Sequence, residues 1–158
     1  MAPISDEEAT RFNRTLLEFD ELSQTILKGH LMLEGLLDSI LEQLLGSGRP
    51  ISGAVDEARL SFHQKTKLVR AACSDRCASE TWRSLAKLNS LRNQMTHTLD
   101  SPKIPGLVDE LCREIHVDPS TQPDVRHTKE IQVEIVAIAL AFAYGDLRKL
   151  NEELRDKT

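Results

Sequence analysis

The fold is decided by the stretch Leu31–Leu45, which reads LMLEGLLDSILEQLL. Its apolar residues recur every three or four positions, the spacing that places side chains on one side of an α-helix. This apolar stripe consists of Leu33, Leu37, Ile40, Leu41 and Leu44. The pattern predicts an amphipathic helix from Glu21 to Leu45, ended by Gly46 and buried on one side against other helices.

Other segments have a similar helical pattern, and none has the alternating pattern of a β-strand. Ser5-x-x-Glu8 forms a capping box, which predicts a first helix that ends near Phe19. The predicted helices cover 5–19, 21–45, 55–72, 79–98, 105–115 and 125–155, and segments rich in Pro and Gly separate several of them. The sequence therefore predicts an all-α fold in which residues 1–158 form a single domain, a bundle of five to six helices.

The last predicted helix has two apolar sides. One side carries Ile131, Ile135, Ile138 and Phe142, and the other carries Val136, Leu140 and Leu147. Two buried sides predict either a central position in the bundle or contact with a second copy of the chain.

Composition excludes several classes of protein. The chain has 158 residues, of which 40% are hydrophobic and 28% charged, an ordinary balance for one globular domain. It begins without the basic and apolar regions of a secretory signal, and its longest strongly apolar run, Ile135–Ala143, is much shorter than the ~20 residues of a membrane-spanning helix. We therefore expect a cytoplasmic protein with no membrane contact.

Cysteine spacing gives little indication of a metal site. The chain has three cysteines, and an odd number without an export signal favours reduced thiols. Cys73 with Cys77 and Cys112 with His116 have the four-residue spacing of two ligands on one helix face. Because this spacing matches no recognised zinc finger, thiols that pack as small hydrophobic groups are the preferred interpretation. No metal and no cofactor is predicted.

Basic residues are concentrated in the middle of the chain. The formal net charge is −5, yet Arg59–His97 contains eight Lys or Arg against two Asp or Glu, which leaves −11 for the remaining residues. The residues predicted to bind phosphates on this surface are Lys65, Lys67, Arg70, Arg83 and Lys87. A solvated helix surface explains the same charges equally well, so both interpretations stay open at this stage.

The end of the fourth predicted helix carries a group of polar side chains that we call the polar arc. Its members are Asn89, Arg92, Asn93, Thr96 and His97, which fall within about 140° around the helix axis at about 100° per residue. Leu88, Leu91, Met95 and Leu99 fall on the other side and are predicted to pack in the core. An Arg can grip a phosphate through two hydrogen bonds, and a His transfers protons near neutral pH. The polar arc is therefore suited to cleaving a phosphodiester without a metal.

This segment resembles the motif of the HEPN superfamily, which consists of small helical domains marked by an Arg, four to six further residues and a His. An Asn often follows the Arg directly, and Arg92, Asn93 and His97 match this pattern. The long apolar helix ahead of the motif is also similar to the mannitol-repressor-like branch of related bundles. In active members of the superfamily two protomers dimerise, and their two motifs line one cleft that cuts RNA without a metal. The resemblance implies a HEPN-like fold and the same activity in a homodimer.

The resemblance and the side-chain chemistry together suggest a role for each residue of the polar arc. Arg92 would stabilise the charge on the phosphate in the transition state, and His97 would act as general acid and base. Asn93, Thr96 and Asn89 would support these two residues.

His30 and Glu34 are four residues apart on the second predicted helix and line up with its apolar stripe. They form either a hydrogen-bonded pair at the edge of the core or, because HEPN clefts often recruit polar groups from a neighbouring helix, a support for His97.

Two functions compete at this stage. The first is a metal-independent endoribonuclease of a toxin–antitoxin or defence system, with RNA, a second copy of the chain and a cognate antitoxin as its partners. The second is a non-catalytic helical interaction module, such as a repressor-like regulator, an antitoxin or an immunity protein, with a partner protein. The toxin branch of the superfamily carries a Tyr two residues after the His, where this chain has Leu99. Control by nucleotidyl modification of that Tyr is therefore not expected.

Overall fold

The structure is a computed structural model that describes residues 7, 21–46, 58–97, 101–115 and 128–156. Five α-helices account for most of these residues. They are α1 (Glu21–Leu45), α2 (Phe62–Cys73), α3 (Ser79–His97), α4 (Ile104–Glu114) and α5 (Lys129–Arg155). The described residues contain no β-strand, so the predicted all-α fold is confirmed. The helix predicted over 5–19 lies outside the described residues except for Glu7.

The apolar stripe that predicted the second helix lies on the buried side of α1. Leu33, Leu37 and Ile40 are each at most 1% exposed. Gly46 follows the helix with a φ of 73°, the left-handed conformation that a glycine adopts without steric cost at a helix C-terminus. The predicted C-terminal end of this helix is therefore confirmed, and the residues directly before Glu21 lie outside the described part.

The third predicted helix, 55–72, begins later than expected. In the structure α2 starts at Phe62, after Ser61, whose side chain accepts a hydrogen bond from the Gln64 amide. The Gln64 side chain in turn accepts from the Ser61 amide at 2.8 Å, so the two residues form a capping box. Arg59 has a φ of 47°, which a continuous helix does not allow. The prediction was wrong for residues 58–61, and residues 55–57 lie outside the described part.

The remaining helix ends agree with the sequence to within a few residues. α3 ends at His97, and α4 begins at Ile104 with Pro105 in its first turn, where a missing amide hydrogen costs nothing. α5 follows Thr128, which has an extended backbone with φ −69° and ψ 144°. The start predicted at residue 125 falls outside the described residues.

The core is centred on α1, which packs along α5 and also contacts α2 and α3, while α4 packs against α3 and α5. Each helix contributes fully or almost fully buried side chains, among them Ile26, Leu37, Val69, Leu85, Leu91, Leu111, Val136 and Leu147. α1 and α5 approach closely at Gly29, where an added Cβ would overlap the Leu140 side chain. Because glycine has no side chain, α1 and α5 can pack at short range there.

Phe142 corrects the prediction for the last helix. The apolar pattern predicts that this side chain is buried, yet 62% of its surface is exposed. The core side of α5 is a single broad face that includes Val136, Ala139 and Ala143, and Phe142 lies beyond its edge. Ile138, one turn earlier, is only half-buried. One side of α5 therefore stays on the surface of the chain.

The cysteines lie in or beside the core. Cys73 and Cys112 are buried and Cys77 is half-buried, all three as free thiols, which agrees with their interpretation as small packing groups. Burial, with a contribution from Asp146, raises the pKa of the Cys77 thiol to about 11. Within the described segments no three His, Cys, Asp or Glu are grouped to hold a metal ion. None of the helices described combines the length and the apolar character needed to cross a membrane.

Candidate nucleic-acid site

The two sides of α3 are separated as the sequence predicts. Leu88, Leu91 and Met95 are buried against the rest of the bundle, and Leu99 lies outside the described residues. On the polar arc, Asn93, Thr96 and His97 are exposed, whereas Asn89 and Arg92 are half-buried. The C-terminal end of the polar arc is therefore accessible to a ligand. The N-terminal end of the polar arc packs partly against the bundle.

A hydrogen bond within the polar arc orients Arg92. Its Nη1 donates to the Asn93 Oδ1 at 3.1 Å. The positions of Arg92 and His97 differ by about 140° around the helix axis. Asn93 lies between these two directions and one turn before His97. The bond therefore draws the guanidinium towards the side of the helix that carries His97. The Thr96 hydroxyl donates to the Asn93 carbonyl oxygen at 2.8 Å, which leaves its oxygen free to accept from a ligand.

His30 of α1 lies under the other end of the polar arc. Its Nε2 donates to the Asn89 Oδ1 at 3.4 Å, and its ring centroid is 4.1 Å from that of Phe62 on α2. The residue is only 6% exposed, so it does not meet a ligand directly. Residues of α1, α2 and α3 therefore meet at the N-terminal end of the polar arc.

The surroundings of His30 favour its neutral form. Burial lowers the pKa of the imidazole below its usual 6.5, the hydrogen bond to Asn89 opposes this, and the positive charge of Arg92 lowers the pKa further. In smaller effects, the charge of Glu34 raises this pKa and the charge of Lys65 lowers it. A protonated His30 would face Arg92 and Lys65 across a poorly solvated space, so the site is arranged for an uncharged ring.

This lowered pKa predicts a pH dependence of folding stability. The unfolded chain binds a proton at His30 near pH 6.5, and the folded chain does so only at lower pH. The free energy of unfolding should therefore be fully maintained above pH 6.5 and should fall as the pH drops below that value. Urea unfolding at pH 7.5 and pH 5.5 measures the difference, which should shrink in His30→Gln and persist in His63→Gln, where the histidine is exposed. Equal pH responses of the wild type and His30→Gln would contradict the assignment.

Glu34 does not pair with His30, so the predicted hydrogen bond between them is wrong. Glu34 instead accepts from Lys65 of α2 at 2.9 Å, and Asp38 accepts from the same ammonium group at 2.8 Å. Burial lowers the pKa of Lys65, but the two carboxylates outweigh it and raise the pKa overall. The lysine therefore fastens α2 to α1 beside His30.

The residues predicted to bind RNA divide into two groups. Lys65 holds the carboxylates of α1, and two residues of α3 form ion pairs with α4: Arg83 with Glu114 at 2.5 Å, and Lys87 with Glu110. Lys67 and Arg70 are exposed and form no ion pair with any described residue. Two of the five residues therefore keep their charge available for a phosphate.

Sequence reasoning missed two contacts that build the site. Phe62 was not singled out, although its ring stacks at a tilt against His30. The Gln94 Nε2 donates to the Oγ of buried Ser101 at 2.8 Å, which joins α3 to the segment that precedes α4. The sequence did contain a signal for the second contact. Gln94 is a polar residue within the motif that lies on neither the apolar side of the helix nor the polar arc.

The chain matches no family model, no curated protein and no solved structure with which it was compared. The resemblance to HEPN domains therefore depends on the Arg92–His97 segment and on the helix order.

Proposed function

We propose that this protein is a metal-independent, HEPN-like endoribonuclease of a toxin–antitoxin or defence system, with the polar arc of α3 as its active site. The hydrogen bond from Arg92 to Asn93, at 3.1 Å, is the observation that carries the proposal. It brings a guanidinium towards an exposed His97 on a surface that core packing leaves open. Buried His30 supports this surface through its hydrogen bond to half-buried Asn89.

The reaction uses the 2′-hydroxyl of RNA as its nucleophile. His97 accepts the proton of this hydroxyl as the 2′ oxygen attacks the adjacent phosphorus, and the resulting imidazolium donates a proton to the departing 5′ oxygen. The bond between phosphorus and the 2′ oxygen forms while the bond to the 5′ oxygen breaks, which leaves a 2′,3′-cyclic phosphate and a 5′-hydroxyl. Arg92 stabilises the extra negative charge on the phosphate oxygens.

Lys67 and Arg70 are proposed to bind the RNA backbone beside the active site. Because each lysine or arginine that contacts a phosphate of single-stranded RNA releases a counterion, the logarithm of the affinity should fall with the logarithm of the salt concentration by about 0.7 per contact. In catalytically inactive His97→Ala protein, adding Lys67→Glu and Arg70→Glu should weaken binding and reduce this slope by about 1.4. Fluorescence anisotropy across a salt series measures both.

The control for this experiment is Arg113→Glu on α4, which reverses an exposed charge elsewhere. It should leave the slope unchanged. Lys65 is unsuitable for charge reversal, since a glutamate there would face Glu34 and Asp38 and destabilise the fold. An unchanged slope in the Lys67→Glu, Arg70→Glu protein would show that these residues are only part of a solvated surface.

A second candidate function, the helical interaction module, is supported by an apolar groove between α1 and α5. The groove encloses about 390 Å³ and is lined mainly by apolar and small residues, including Met32, Leu33, Ala137 and Ala141. Met32 is 57% exposed and its neighbour Leu31 is 68% exposed. Exposed apolar surface of this kind is typical of a protein-binding site.

Incubation of the purified protein with RNA in EDTA distinguishes the two candidates. Cleavage of RNA that continues in EDTA, with DNA of the same sequence left intact, supports the ribonuclease. A folded protein that leaves RNA intact supports the interaction module.

A further inference from the structure

The surface side of α5 is apolar at its centre. Ala137 and Ala141 are exposed, Ile138 is half-buried and Phe142 is 62% exposed. Gly145 follows one turn after Ala141, and an added Cβ there would meet nothing within 4 Å. We call the surface formed by these five residues the outer face of α5. Its small side chains allow another helix to approach closely.

Opposite charges flank this outer face at equal distances. Glu134 precedes Ala141 by seven residues, and Arg148 follows it by seven. At about 100° per residue, all three positions fall within about 40° around the helix axis. Glu134 forms no ion pair with any described residue, and Arg148 pairs only with Glu152 of its own helix, on an exposed surface. Both charges are available to a partner.

We propose that two copies of this chain pair through the outer faces of their α5 helices, antiparallel, with the two-fold axis at Ala141. In this arrangement Glu134 lies opposite the partner's Arg148, and Arg148 lies opposite the partner's Glu134. A single helix thus carries both halves of a self-complementary charge pattern, as a two-fold interface requires. A foreign helix would need the same pattern by coincidence, so a second copy is the occupant that the face fits.

The same register accounts for neighbouring residues. Ala137 lies opposite the partner's Gly145, which permits close packing at the centre. Farther from the axis, Glu130 approaches the partner's Glu152, a carboxylate that the arginine of its own helix already partly neutralises. The outer face includes no residue of the polar arc, so its charges can be exchanged without changing the proposed active site.

Charge exchange tests the pairing in the full chain. Complexes that bury less than ~1,200 Å² are typically weak, and a single pair of helices buries less than this. We therefore expect a dimer that sedimentation equilibrium detects at tens of micromolar protein. Glu134→Arg and Arg148→Glu each create two repulsive contacts per dimer and should raise the dissociation constant about tenfold or more. The double variant with both changes restores the opposite charges and should return the dissociation constant close to that of the wild type.

Arg113→Glu is the matched control, because it reverses an exposed charge on α4 and leaves the outer face of α5 unchanged. It should leave dimerisation unchanged. Circular dichroism of each variant shows whether the helices are intact. A wild-type chain that stays at 17.7 kDa across the concentration range would overturn the proposal. Failure of the double variant to recover would also overturn it, whereas RNA cleavage in EDTA is measured separately and tests the proposed active site.

Discussion

Replacing Arg92 or His97 with alanine should each lower the rate of RNA cleavage by at least about 100-fold, the usual contribution of a general acid–base group or a charge-stabilising donor. The rate constant under single-turnover conditions, with protein in excess over RNA, measures the chemical step. Because Arg92 is half-buried and His97 exposed, neither change removes a core contact. Circular dichroism and the urea midpoint should therefore stay close to those of the wild type.

Two matched variants control for the loss of any arginine or histidine. Arg113→Ala removes an exposed guanidinium from α4, and His63→Ala removes an exposed imidazole from α2. Both should retain the wild-type rate. If the activity of a preparation survives His97→Ala, a contaminating ribonuclease or another histidine carries it, and the assignment of the polar arc is wrong.

Leu91→Ala should cause the largest loss of stability among the changes considered. Leu91 is 0% exposed and lies directly before Arg92 on the packing side of α3. Removing a fully buried leucine side chain costs about 2–5 kcal/mol, through the lost transfer energy and the cavity left behind. Equilibrium unfolding in urea measures this as a lower midpoint with little change in slope.

Leu68→Ala is the control for this prediction. Leu68 of α2 is 46% exposed, so the same chemical change there should cost well under half as much. Equal losses in the two variants would mean that α3 does not pack as described, and the separation of its two sides would then have to be rejected.

Much of the fold follows from local pattern. The C-terminal end of α1 is visible because a long apolar stripe ends at a glycine, and the two sides of α3 follow directly from helical spacing. The late start of α2 was missed because Ser61 and Gln64 form their capping box inside a segment that otherwise reads as helical. The apolar pattern predicts a buried Phe142 because spacing alone does not show which side of a helix packs against a neighbouring helix.

The site could be predicted only in part, because its supports come from different helices. The pairing of His30 with Asn89 joins residues 59 positions apart, and no spacing rule relates them. The ion pairs of Lys65, Arg83 and Lys87 likewise depend on which helices become neighbours. A sequence shows how many charges a segment carries, whereas tertiary packing decides which of them are already neutralised.

Analysis of the RNA ends produced in EDTA tests the central claim most directly. A synthetic RNA oligonucleotide would be incubated with the wild-type protein, and the products would be identified by mass spectrometry. The account predicts fragments that end in a 2′,3′-cyclic phosphate and begin with a 5′-hydroxyl, and no cleavage at a position where a 2′-deoxynucleotide replaces the ribonucleotide. Fragments with a 5′-phosphate, cleavage that stops when EDTA is added, or intact RNA would contradict it.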